Sequence, residues 1–173
     1  MHSRSQYLSV CLSLFAACQH CCAADAPPAA DPDVDASEDQ HLANIHQVTI
    51  GLPRAGEGYF SPDGEWIVYQ AYPVGYPFYQ IYVQAIDERD PRRISPGRGR
   101  TTCAYFTRDG KQILFASAHT RPDLEAEEKK ARDEAAAGGR RRYQWDFDPN
   151  MDIYVCDFDG TNLKQLTDAP GYD

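Results

Sequence analysis

A segment that occurs twice at a fixed spacing constrains this 173-residue chain more than any other feature. YFSPDGEWIVYQA begins at Tyr59 and YFTRDGKQILFAS at Tyr105, an offset of 46, and Gln47-Val48-Thr49 stands at the same offset from Arg93-Ile94-Ser95. The later half of each unit also matches. QIYVQAIDERDPRRIS (80–95) aligns without gaps on DIYVCDFDGTNLKQLT (152–167) at an offset of 72, so the second unit carries 26 extra residues between its halves. Leu166-Thr167 reads as the start of a third unit. Self-similarity at such a period marks a repeat architecture, because each unit needs its neighbour to cover an apolar face.

Each unit reads as four short strands, near 56–60, 65–71, 79–86 and 91–95 in the first, with counterparts in the second. Pro62-Asp63-Gly64 joins the first pair: proline presets φ and glycine takes the left-handed position of a tight turn. Arg108-Asp109-Gly110 keeps the Asp-Gly part. Strand interiors are β-branched and aromatic, as in Trp66-Ile67-Val68-Tyr69 and Ile153-Tyr154-Val155, which suits sheets covered on both faces. Four strands per unit of this length is the period of a propeller blade. The expected fold is all-β: a partial β-propeller of two four-stranded antiparallel blades, units 48–93 and 94–165, with one charged helical insertion.

The run F-S-P-D-G-x-x-I-V at 60–68, followed by I-Y-V-x-x-x-D at 81–87 and closing in L-T at 166–167, resembles the WD-related repeat of TolB-like β-propellers of exported bacterial proteins. The resemblance spans residues 44–173. It implies a scaffold for protein–protein interaction in the cell envelope that performs no chemistry and holds no cofactor. Two alternatives stand beside it: the propeller portion of a larger exported peptidase or hydrolase, and a glycan-binding propeller. A closed ring takes about 4 to 8 blades, so two blades are expected to be a fragment of a longer propeller or to self-associate through open blade edges. Segment 44–49 resembles the closing strand of a last blade.

The N-terminus indicates the compartment. Arg4 precedes the apolar run Leu8–Ala17, and small residues follow to Ala24-Asp25-Ala26, the layout of a signal peptide over 1–26 and hence of a periplasmic or secreted protein. That run is too short to span a bilayer. Cys18 after Phe15-Ala16-Ala17 offers an alternative lipoprotein reading. Residues 27–43, rich in Pro, Ala and Asp, form an expected disordered acidic linker. The formal net charge of -9 argues against a nucleic-acid partner, which requires a concentrated positive field.

If the strands alternate in direction, the links from second to third strand and from unit to unit emerge at one end. That end gathers the loop from Tyr72 to Tyr79, with Tyr76 and Phe78, then Arg98 and Arg100, and the insertion. It is the expected binding face, since variable loops on a rigid scaffold carry recognition. Tyr72, Tyr76 and Phe78 are the rings on which a glycan would stack. Within the insertion, Pro122 suits a first helical position, Glu125 pairs with Lys129 and Glu128 with Arg132 at i,i+4, and Gly138-Gly139 ends the helix. Its thin apolar stripe predicts a solvated helix extending from the blade. Arg140, Arg141 and Arg142 follow, a cationic run suited to an acidic peptide or carboxylate-bearing glycan.

Asp146, Asp148, Asn150 and Asp152 have the alternate spacing of calcium-loop ligands, but Met151 stands where that loop requires glycine. The alternative is polar capping of a strand entry. No catalytic constellation is expected: His41, His46 and His119 are scattered, with no metal-binding pair and no nucleophile elbow. Cys103 and Cys156 fall on non-adjacent strands, so both are expected as buried free thiols.

Overall fold

The computed structural model describes residues 41–138 and 147–173. The proposed signal peptide, Cys18 and most of the linker lie outside that range, as do Arg140, Arg141, Arg142 and Asp146. The chain divides after Ile45, and the unit His46–Asp173 carries the strands and the helix.

That unit holds two antiparallel sheets in simple sequence order. The first is β1 (Ala55–Phe60), β2 (Trp66–Ala71), β3 (Gln80–Ala85) and β4 (Arg92–Arg93); the second is β5 (Thr101–Phe106), β6 (Gln112–Ser117), β7 (Asp152–Asp157) and β8 (Lys164–Gln165). Helix α1 (Leu124–Ala136) lies between β6 and β7. The fold is therefore the expected all-β pair of four-stranded blades with one helical insertion.

The first hairpin of each sheet closes by the same set of bonds. Ser61 Oγ donates to Asp63 Oδ1 and accepts from the Trp66 amide; Thr107 Oγ1 donates to Asp109 Oδ1 and accepts from the Gln112 amide. Each aspartate also accepts the amide two residues on, from Glu65 and from Lys111. The glycine that follows must be left-handed, with φ of 77° at Gly64 and 71° at Gly110. Gly99 faces a harder constraint: φ is 71°, and a Cβ there would lie 2.7 Å from the His119 backbone. Gly110→Ala is expected to cost about 1 kcal/mol from its φ alone, and Gly99→Ala about 2–4 kcal/mol because backbone must also move. Urea unfolding of the two variants checks this order.

The fourth strands are shorter than expected because a side chain ends each ladder. Ile94 N still donates to Ile81 O, but Ile81 N donates to the Ser95 hydroxyl; Leu166 N, Ile153 O and Thr167 Oγ1 repeat the arrangement. Leu166-Thr167 thus closes the second sheet as Ile94-Ser95 closes the first. The inner edge strands carry matching bulges, at Glu57 (φ 46°) and Cys103 (φ 53°), 46 residues apart. The open edges expected from the sequence are blunted accordingly: bulged at one end of each sheet, two residues long at the other.

Alternation puts Val68, Ile81 and Val83 on one face of the first sheet, where they meet Ile113, Phe115, Tyr154 and Cys156 of the second. Phe158 closes the rim, edge-on to Trp66 at 4.9 Å and stacked on Phe106 at 6.2 Å. Burying each such aliphatic or aromatic side chain contributes about 1.5–3 kcal/mol, so this layer holds the two sheets in fixed relation. The connections at their common end inherit that rigidity.

Candidate functional site

Three connections meet at one end of the sheets, as strand direction requires: the β2–β3 loop, the β4–β5 loop and the insertion. Glu128 of α1 is their junction. Its Oε1 accepts from Tyr76 Oη at 2.7 Å and from Arg98 Nε at 3.2 Å, and its Oε2 accepts from Arg98 Nη2 at 3.1 Å. Only 5% of Glu128 is exposed. Burial alone would raise its carboxyl pKa, but the bonds from Arg98 and Tyr76 outweigh it and hold the group below its usual range. Burial and that same carboxylate push the Tyr76 hydroxyl well up.

A second junction forms at Asp148, which is 1% exposed. Arg121 Nη1 lies 2.7 Å from its Oδ2 and Arg100 Nε 3.6 Å away. Its Oδ1 accepts from Asn150 N and Nδ2. Arg121 also grips Asp123 with two nitrogens, at 2.7 and 3.0 Å, and Arg100 lies over the Phe78 ring at 4.2 Å. Glu127 adds a looser negative charge, 3.8 Å from Arg100 and 4.0 Å from Arg121. A buried charge is tolerated only when paired, and here each carboxylate is met by guanidinium.

This geometry revises several sequence expectations. The helix does not simply extend from the blade: Leu124 and Glu128, one turn apart, are its buried residues and turn one face inward. Glu128 lies 3.9 Å from Arg132, as expected at i,i+4, but its short bonds run to Arg98 and Tyr76. The other helical pair is Lys129 with Asp133, not Glu125 with Lys129. Pro122 precedes the cap residue Asp123, whose carboxylate makes no capping bond because Arg121 holds it. Gly138, at φ 68°, does end the helix region.

The aromatic loop also turns inward. Phe78 is 3% exposed beneath Arg100, so it offers no ring for a glycan. Tyr72 packs edge-on against Tyr79 at 4.2 Å, with Arg54 over both rings, and Tyr76 spends its hydroxyl on Glu128. Val74, at the loop tip, is 79% exposed. Arg98 and Arg121 border a shallow recess with Pro122 and the first residues of α1.

The calcium pattern has another use in the described residues. Asp148 faces arginines, Asn150 completes its turn, and Asp152 begins β7, accepting from Gln165 Nε2 at 3.0 Å. Burial, with Asp173 and Asp168 nearby, raises the Asp152 carboxyl. Among the described residues no acidic or His/Cys group has the geometry of a metal site.

Sequence reasoning missed a Ser–His contact. Ser117 Oγ lies 2.8 Å from His119 Nδ1, but Ser117 is fully buried and its oxygen also takes the His119 amide, a strand-end turn rather than an activated hydroxyl. Burial lowers the His119 pKa below its ordinary 6.5, and no carboxylate contributes to that shift. The unfolded chain therefore binds the extra proton first. His119 contributes stability above about pH 6.5 that is lost as pH falls through its folded value, and His119→Gln should flatten the slope of stability as pH falls below about 6.5. Urea midpoints across that range check it.

Among the described residues the two cysteines, Cys103 and Cys156, are free, with the whole of β6 between their strands. Cys156 is buried, which pushes its thiol up to about 11. Cys103 is exposed, contrary to expectation, because its left-handed bulge breaks the alternation of β5.

No protein-family model and no curated protein matches the chain. Among solved structures it is similar to a TolB from Agrobacterium tumefaciens, at 21% identity and a TM-score of 0.51 over 72% of this chain and 37% of that one. TolB from Acinetobacter baumannii is similar at 24% identity and a TM-score of 0.46, over 70% and 23%. The chain thus spans well under half the length of either structure.

Proposed function

We propose, from a fold that is two blades of a TolB-like β-propeller, that this chain is an exported, non-catalytic scaffold that docks a protein partner in the cell envelope. The observation that carries the reading is the Glu128 junction. It draws two loops and a helix into one surface on a rigid pair of sheets, the usual basis of recognition by connections. With Tyr76, Arg98 and Arg100 bonded to internal partners, the outer side of α1 offers a charged surface to a partner, with Glu125, Lys129, Lys130 and Asp133 exposed. Charges of both signs there favour a protein of complementary pattern, chosen by orientation more than by raw affinity. The non-catalytic reading is supported by the burial of Ser117 beside His119 and by the consumption of the acidic groups in ion pairs.

The experiment is a photo-crosslinker placed at Lys130 in the expressed protein, with cell fractionation. The proposal expects the chain in the envelope fraction, joined to a discrete protein, and loss of that product when Lys129 and Lys130 are both reversed to Glu. A chain that stays in the cytoplasm, or a crosslinking pattern unchanged by charge reversal, would overturn it.

A further inference from the structure

The Glu128 junction divides its donors and its acceptor between different parts of the chain. The donors belong to the connections of the blades themselves: Tyr76 in the β2–β3 loop and Arg98 in the β4–β5 loop. The Arg98 guanidinium meets the carboxylate as a fork, Nε on one oxygen and Nη2 on the other, and the Gly99 amide adds to the stabilisation of the charge. Two-point planar contact of this kind selects a carboxylate. The acceptor comes from the insertion, the 26 residues by which the second unit exceeds the first.

Two observations separate this set from what holds a blade together. The positions one repeat away from Arg98, at offsets of 46 and 72, are Leu52 and Pro170, so the repeat itself requires no cation there. Helix α1, in turn, makes no extensive contact with any strand, and Leu124 and Glu128 are its only buried residues. A helix held by one leucine and one carboxylate is weakly docked. Arg98, its side chain 49% exposed, is open to solvent on one side even with the helix in place.

We infer that Tyr76 and Arg98 form a carboxylate-binding site which Glu128 fills in cis, and that a helix of a partner protein, presenting a leucine and a glutamate one turn apart as α1 does, displaces it. The choice of a protein as occupant rests on the docking role proposed above; the site itself does not, and it lies beneath α1 and not on its outer side. While α1 is docked, its tethered glutamate competes at an effective concentration on the order of millimolar, which keeps a weak partner out. Exchange sets one carboxylate in place of another on the same donors, so neither Arg98 nor Tyr76 ends without an acceptor.

The test is a titration of the full Glu128→Ala chain with a peptide of residues 121–137, followed by NMR at the Gly99 amide and the Arg98 Nε–H. Saturable shifts are expected. The same peptide carrying Glu128→Gln should bind at least about tenfold more weakly, and the wild-type chain should bind the unaltered peptide at least about tenfold more weakly than Glu128→Ala does. Adding Arg98→Ala to the Glu128→Ala chain should abolish the shift at Gly99. No saturable shift in Glu128→Ala, or equal binding of the Gln peptide, would overturn the site whether or not a crosslink forms at Lys130. A wild-type chain that binds the peptide as well as Glu128→Ala would overturn its occupation in cis, and a wild-type dimer that Arg98→Ala dissolves would give the place to α1 of a second copy and not to a partner. If Glu128→Ala loses the circular-dichroism spectrum of the folded chain, Glu128→Gln, which keeps the size of the side chain, replaces it in the titration.

Discussion

Phe115→Ala is expected to lower unfolding stability by about 3–5 kcal/mol, the cost of emptying a large aromatic site in a core that cannot fully collapse. Phe115 is 1% exposed, stacks on Tyr154 and belongs to the layer shared by both sheets. A two-blade unit has no other extensive interface to compensate, and a typical domain has only about 5–15 kcal/mol in total. Both sheets should therefore unfold in one transition, shifted strongly to lower urea. Leu114→Ala, the adjacent residue but pointing to the outer face, should cost only about 1 kcal/mol. Equal costs at the two positions would mean that the sheets are not packed by alternation as described.

Glu128→Ala has the second large effect, confined to one end of the molecule. It strips Tyr76 and Arg98 of their acceptor and leaves the buried face of α1 with Leu124 alone. Loss of a charge-assisted bond set of this kind costs about 1.5–3 kcal/mol. The lower end is expected, because the Arg98 side chain is 49% exposed and solvent screens its part. The helix should undock while the sheets stay folded, seen as faster amide exchange over Leu124–Ala136 and protease cutting within 118–151. Tyr76→Phe should produce a smaller version. Because Glu128 is held below its usual pKa, docking is complete above about pH 4.5 and weakens as pH falls through the folded value.

The contrast between these two regions explains what was legible in the residues alone. The blades were legible because their information is local and duplicated: a turn of Ser or Thr, Asp and Gly fixes each hairpin, alternation fixes the faces, and the offset of 46 repeats both. The Glu128 junction was not, since its partners lie 30 and 52 residues away and nothing local distinguishes it from a solvated helical glutamate. Its spacing from Leu124 was the available signal, one turn along the same face. Asp148 was ambiguous for a related reason: alternating acidic residues have the same appearance whether they await a cation or a guanidinium, and its arginines stand far off in sequence, Arg100 in the β4–β5 loop and Arg121 27 residues earlier in the insertion.

Cys103 teaches a finer lesson. Alternation counted from the buried Thr101 would place it inward, but the extra residue between Thr102 and Tyr105 shifts the pattern and turns it out. The repeat held the clue in Glu57, the counterpart of Cys103, a charged residue that would not be placed inside. Tyr59 and Tyr105, counterparts in the same strands, lie 4.9 Å apart and are both exposed, consistent with that inner edge facing solvent.

Packing of the two sheets as successive blades is tested most directly by nuclear Overhauser contacts in the labelled chain. The methyl groups of Val68, Ile81 and Val83 should show cross-peaks to the rings of Phe115 and Tyr154, side chains that share one core. Cross-peaks confined within each sheet, with none between these methyls and those rings, would contradict it.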